Sequence, residues 1–228
     1  MLALDRVKRD ELLLPRICFA LYGAAVAVSA VHPYSRGTWL TENAGAWVIV
    51  LVMAMTLRAA RFSNRTYVQG LILLLLHTFA AHFTYPRVPV GEWLADVFEL
   101  SRNPFDRVVH FAFGLLALAP LRELFFTREP RRSARAELLL TLGAVALIGT
   151  GYELIEWASA VIVGERVTAD FLGTQGDPWD TQADLACNLA GGLVAIAGEA
   201  VLAAVRRRRP LSGVSATGPA HARAARAG

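Results

Sequence analysis

The chain has 228 residues, of which 55% are hydrophobic and only 18% charged, and its mean hydropathy is +0.42. Soluble domains carry nearer about a quarter charged residues, so an ordinary water-soluble domain is excluded as the leading class. A net charge of +4 and a pI near 9.5 invite a nucleic-acid reading. The basic residues, however, are parcelled into alternate connections rather than gathered on one stripe, so nucleic acid is excluded as a partner and the lipid bilayer takes its place.

In chain order, a charged N-terminal segment leads into a first apolar block, Pro15–Val31. Val28-Ser29-Ala30 imitates a signal-peptide cleavage site, but the segment ahead of it is long and mixed in sign, which fits a retained span better. Further blocks follow at Ala44–Arg61 and Thr66–Phe83. Between Gly91 and Leu100, Trp93, Leu94, Val97 and Phe98 alternate with Glu92, Asp96 and Glu99, which predicts a short amphipathic helix on the outer surface. The last three blocks are Phe105–Phe126, Ala136–Val163 and Ala183–Val205.

The blocks suit a hydrocarbon core of about 30 Å, which takes about 20 helical residues to cross. No segment alternates polar and apolar as barrel strands do, and lipid offers no partner for unpaired backbone groups, so helices remain. The expected fold is all-α and polytopic, with six transmembrane helices in one domain over residues 1–205. Residues 206–228, a run of arginines and then Ala/Gly/Ser-rich sequence, are expected to be a disordered cytoplasmic tail. Cys18 and Cys187 both fall inside blocks and read as small apolar residues, with neither a disulfide framework nor zinc spacing.

Of the 23 Lys and Arg residues, four precede or open the first block, three lie in the second connection, five in the fourth and six in the tail. The other five, Arg36, Arg87, Arg102, Arg107 and Arg166, fall on the other side. This is the positive-inside pattern for a six-span inner-membrane protein with both termini in the cytoplasm.

That topology gives each polar residue a side. The extracytoplasmic side gathers His82, Asp106, His110, Asp170, Asp177, Asp180 and Asp184. Asp106 and His110, four apart, share one helix face, where a carboxylate can fix an imidazole tautomer or share a metal ion with it. A helix-start Asp beside an interfacial His is the plainer reading of that pair. Glu153 and Glu156 lie inside the fifth block, about 15 Å and 10 Å below its outer end at a rise of about 1.5 Å per residue. Each ionised carboxylate there costs roughly 2.5–3.5 kcal/mol, more than interhelical hydrogen bonding alone would ask for.

Asp177 followed by Pro178 reads as an N-cap with proline in the first helical position, and Asp180 falls where a capping-box acid sits. Capping does not explain Asp184 or Asn188, which continue the same stripe into the membrane. Gly191 and Gly192 beyond them permit close helix approach. His77 reads as a helix-to-helix hydrogen-bonder, and His82 as a neighbour of the polar set.

The ordered set Arg102-Asn103, Asp106-Arg107, His110-Phe111, Tyr152-Glu153, Glu156, Phe171-Leu172-Gly173-Thr174-Gln175-Gly176-Asp177, Trp179-Asp180, Gln182 and Asp184 resembles the YjdF-type bacterial inner-membrane family across nearly the whole chain except the tail. Pro104 departs from that pattern, standing where many relatives carry a histidine. The resemblance implies topology and no particular activity. More distantly, Asp106/His110, Glu153 and Asp184/Asn188/Gly191 match in order the motifs of VanZ-like membrane proteins, with Glu156 near a place where those carry Gln.

These residues point to an extracytoplasmic carboxylate/His site for a lipid headgroup or small polar ligand, with Asp106, His110, Asp177, Asp180, Asp184, Asn188 and His82 as ligand-binding residues. The acidic set favours a cationic group, or an anion bridged by a divalent metal. Two alternatives stay open. One is a metal- or Glu-assisted hydrolase or transferase with Glu153 and Glu156 catalytic; the other is a small proton-coupled transporter. No nucleophile motif of the Gly-x-Ser-x-Gly kind occurs. The metal, if any, and the oligomeric state are left open by the sequence.

Overall fold

A computed structural model describes residues 12–56, 62–126, 133–163 and 175–208. Its elements are helices α1 (Leu13–Ser29), α2 (Arg36–Thr56) and α3 (Asn64–Phe83), a 3-10 turn (Tyr85–Arg87), α4 (Pro89–Val97), α5 (Phe105–Phe126), α6 (Ala134–Val163) and α7 (Asp180–Arg208). No strand occurs among the described residues. Among the described residues, five helices are long and apolar enough to cross a membrane: α2, α3, α5, α6 and α7. α1 is apolar as well but has 17 residues, or about 25 Å at 1.5 Å per residue. By its internal contacts the chain divides into residues 1–196 and 197–228; the packing described below belongs to the first unit.

The exterior is that of a protein in lipid. Leu139, Leu147, Leu154, Trp157 and Val161 on α6 are exposed, and Ile162 is 82% exposed. So much contiguous apolar surface is not tolerated in water and is neutral against acyl chains. The interior is small-residue and aromatic. Tyr22 of α1, Ala46 of α2 and Leu74 of α3 form one cluster, and Ala80 of α3, Tyr85, Val88, Phe105 and Val109 form another. α3 contributes to both and is the hub of the bundle.

Contacts between helix ends show the up-and-down order. At one end, Ser63 caps α3, accepting from the Thr66 N–H at 3.3 Å while its own hydroxyl donates to Glu123 of α5 at 2.6 Å. At that same end Arg122 of α5 pairs with Glu137 of α6 at 3.1 Å. At the opposite end, the Tyr34 N–H donates to the His82 carbonyl at 2.9 Å, and Arg87 stacks over the Tyr34 ring at 4.4 Å. Thr84 breaks α3 there with φ 64°, a rare conformation for a β-branched residue, and turns the chain into the 3-10 segment.

α4 is the amphipathic surface helix expected between Gly91 and Leu100, shifted to Pro89–Val97 because Pro89 at its first turn starts it early. Trp93, Val97 and Phe98 are exposed, as an interfacial helix requires. α2 differs more from the expectation. It begins at Arg36 rather than near Ala44, so Glu42 and Asn43 lie inside the helix instead of ahead of it. Both are buried.

α7 begins at Asp180, three residues after the cap position read from the sequence. The Asp177 carboxylate still accepts from the Trp179 N–H at 2.9 Å; Pro178 and Trp179 form a turn that feeds the regular helix. α5 and α7 meet at glycines. A Cβ on Gly114 would overlap the Asn188 carbonyl, and one on Gly191 would overlap the Phe111 carbonyl. Backbone thus lies on backbone, which only glycine permits.

Candidate functional site

The polar residues concentrate where the N-termini of α5 and α7 meet the C-terminal half of α6. The rim is built first. Arg102, just ahead of α5, pairs with Asp180 at the start of α7 and lies 3.6 Å from Asp177. Arg107, one turn into α5, pairs with Asp177. The Trp179 N–H, followed by the Arg107 guanidinium, holds the Asp177 carboxyl below the usual carboxylate range.

Gln175 clamps the backbone of Asn103 with both ends of its amide. Its Oε1 accepts from the Asn103 N–H at 2.9 Å, and its Nε2 donates to the Asn103 carbonyl at 3.0 Å. Reaching this position puts Gln175 at φ 48° and Gly176 at φ 83°, the left-handed conformation that suits glycine. The Asn103 side chain in turn donates to the carbonyls of Pro86 and Val88 and accepts from the Phe105 N–H. The Gln-Gly-Asp segment, Asn103 and Arg102 therefore act together to lock three chain segments over one end of the bundle.

Below the rim lie the residues singled out by their spacing. Asp106 and His110 stack on α5 as the four-residue interval demands, with Asp106 Oδ1 3.5 Å from His110 Nε2. Glu153 of α6 brings Oε1 to 3.4 Å from the same nitrogen. Asp184 of α7 completes a group in which one donor atom each from Asp106, His110 and Asp184 lies within 4.8 Å of the others. All four residues are buried, Asp184 to 1% exposure. Glu153 Oε1 and Asp184 Oδ1 are nevertheless without a hydrogen bond, although buried polar atoms ordinarily have one. Thr181 of α7 reaches the Glu153 carboxylate.

Asn188 lies one turn below Asp184, with its amide against Gly149 of α6. Glu156 lies one turn from Glu153, in contact with the Tyr152 phenol. His82 is held elsewhere: its Nδ1 bonds the Ser29 carbonyl at 2.8 Å, which ties it to α1. Asp177 and Asp180 belong to the rim pairs rather than to the buried group. Asp170 lies outside the described residues, as do Phe171, Leu172, Gly173 and Thr174 of the loop motif.

A cavity of about 180 Å³ adjoins this group, lined by Glu42, His77, Tyr85, His110, Tyr152 and Asn188 among apolar neighbours. Tyr152 donates to Glu42 at 3.3 Å. His77 contacts the Glu42 carbonyl through Nε2 at 2.9 Å and the Tyr85 hydroxyl through Nδ1 at 2.7 Å. A carbonyl only accepts, so Nε2 carries the proton and Tyr85 donates to Nδ1. Burial, with the Glu42 carboxylate second, raises the Tyr85 phenol well above the usual tyrosine range, so it stays a neutral hydroxyl. Glu42 was missed at the sequence level because its block was started at Ala44. The Arg36–Glu42 interval, read as a helix turn and a half ahead of the apolar run, was the available signal.

Comparison with known proteins agrees with this architecture. The chain is 32% identical over 168 residues, 74% of its length and 80% of the relative's, to the inner membrane protein YjdF of Escherichia coli. No solved structure matches it. Residues 14–208 match the family described as predicted membrane protein (DUF2238), and the chain belongs to that family.

Proposed function

We propose that this protein binds the polar headgroup of a membrane ligand in a site formed by α5, α6 and α7, open to the extracytoplasmic face of the inner membrane. The reading takes the protein as a six-span bundle, with α1 as the shortest span and both termini in the cytoplasm. The basic residues of the alternate connections support that orientation.

The observation that carries the proposal is the buried group of Asp106, His110 and Asp184, with Glu153 beside His110, in which one oxygen each of Glu153 and Asp184 makes no hydrogen bond. Uncompensated carboxylates inside a membrane bundle are costly and mark a place where a ligand supplies what the protein withholds. The ligand is a cationic group, or an anionic one bridged by a divalent metal. The adjoining cavity, with its largely apolar wall, takes the less polar part of such a molecule.

Depth separates this reading from a proton-coupled carrier. Glu42 lies about 9 Å from the start of α2, His77 about 9 Å from the end of α3, and Asn188 about 12 Å from the start of α7 at 1.5 Å per residue. With Glu153 about 15 Å from the end of α6, the polar groups reach the middle of a core about 30 Å thick and do not continue beyond it, whereas a carrier also needs polar groups through the other half. The test is lipid retention measured by native mass spectrometry on the full chain titrated with phosphatidylethanolamine and phosphatidylglycerol. Wild type is compared with Asp184→Asn and Glu153→Gln. Retention of one lipid by the wild type and its loss in both variants is expected; equal retention in all three overturns the proposal.

A further inference from the structure

The buried group has the composition and spacing of a metal site, and we infer that Asp106, His110 and Asp184 hold a divalent first-row transition cation, zinc foremost, with Glu153 beside His110 as a neighbouring carboxylate. This inference rests on the polar site just proposed and assigns its occupant.

Three observations carry it. The first is distance. Ligand atoms about 2.1 Å from a tetrahedral ion stand about 3.4 Å from one another. His110 Nε2 lies 3.5 Å from Asp106 Oδ1 and 3.4 Å from Glu153 Oε1. These separations are long for hydrogen bonds between such groups, and the Asp106–His110 distance matches one edge of that tetrahedron. Asp184 stands with one donor atom within 4.8 Å of those of Asp106 and His110.

The second is the pair of orphaned oxygens. Asp184 Oδ1 is buried in a residue only 1% exposed and makes no hydrogen bond. Glu153 Oε1 is likewise buried and without a hydrogen bond. Both belong to the residues around His110 Nε2, where a cation satisfies them together. The third is the donor set. One imidazole with carboxylates suits zinc, iron or manganese, whereas calcium and magnesium sites are built from oxygen alone.

Positioning supports the assignment. Arg102 and Arg107 are engaged by Asp180 and Asp177 on the rim, which fixes the starts of α5 and α7 and hence the registers of Asp106 and Asp184. The glycine contact between the same two helices holds them at the separation a shared ion needs.

The test is metal analysis of the tag-free, detergent-purified full chain, followed by zinc titration after chelator treatment. Wild type is compared with His110→Gln, Asp184→Asn and, as a control on the exposed face of α4, Glu92→Gln. One equivalent of metal is expected in wild type and Glu92→Gln. Each ligand variant is expected to bind zinc at least about 100-fold more weakly, the upper end of what losing an outer-sphere partner costs. Zinc should also raise the thermal unfolding temperature of wild type and leave the ligand variants unmoved. That second readout uses the variants' own melting transitions to establish that they are folded. Absence of stoichiometric zinc in folded wild type, or undiminished binding in both ligand variants, overturns the inference. If metal is absent while the wild type still retains lipid as described above, the metal assignment fails and the headgroup site stands.

Discussion

Replacing Gly114 by alanine is the sharpest probe of how α5 and α7 are held. The added Cβ would overlap the Asn188 carbonyl and crowd the backbone nitrogen of Gly192. Both obstacles are helix backbone, so neither yields by rotating a side chain, and the helices must part. Overpacking of this kind costs about 1–3 kcal/mol, and with backbone as the obstacle the upper part of that range applies. Alanine returns about 1 kcal/mol of helix propensity, leaving a net loss of about 1–2 kcal/mol. Gly143 of α6 is the matched control, since a Cβ there meets nothing within 4 Å; Gly143→Ala is expected to gain about 0.5–1 kcal/mol. At roughly 2–4 °C per kcal/mol for a chain of this size, Gly114→Ala melts lower by about 2–8 °C and Gly143→Ala slightly higher. The assay is thermal unfolding in one detergent, read by the intensity of intrinsic tryptophan fluorescence. Equal melting temperatures for Gly114→Ala and wild type would refute the close helix approach and the site geometry that depends on it.

Two further outcomes concern the rim. Arg102→Met leaves the Asp180 carboxylate buried without its guanidinium, and because both side chains are nearly inaccessible the loss is expected at about 3–5 kcal/mol; chemical unfolding of the full chain checks it. Asp177 has its carboxyl depressed by the Trp179 N–H and Arg107, so its contribution is fully present above the ordinary carboxylate value of about 3.9. It is lost only as pH falls through the lower folded-state value. Backbone amide exchange at Trp179 should therefore be unchanged from pH 7 down to about pH 4 after correction for intrinsic rates, and a loss of protection near pH 5 would contradict the arrangement.

Much of this architecture is legible in the sequence because lipid imposes simple demands. Apolar blocks of about 20 residues had to be helices, and the four-residue intervals Asp106–His110 and Asp184–Asn188 had to stack on helix faces. Glu42 escaped because hydropathy marks where a helix becomes apolar, not where it starts, and α2 runs eight residues ahead of Ala44. Asn103 and Gln175 stand in the motif set, but their roles escaped for another reason. Their roles are hydrogen bonds to backbone groups of distant segments, and no periodicity announces a side chain that binds main chain. Arg102 counted in the sequence as one charge on the outer side and as a member of the motif set, without a partner, because its pairing with Asp180 depends on two helix N-termini meeting in space. His82 sat at a suitable depth, but depth does not fix azimuth, and its ring bonds Ser29 of α1.

The central claim is that the buried carboxylates of Glu153 on α6 and Asp184 on α7, each with one oxygen that makes no hydrogen bond, exist to hold a ligand. The most direct measurement is the count of lipid molecules retained by the full chain on titration with phosphatidylethanolamine and phosphatidylglycerol, with Asp184→Asn and Glu153→Gln alongside. The account predicts one molecule bearing either headgroup on the wild type and none on the folded variants. Identical lipid occupancy in wild type and both variants would show that Asp184 and Glu153 take no part in holding it, and would contradict the account.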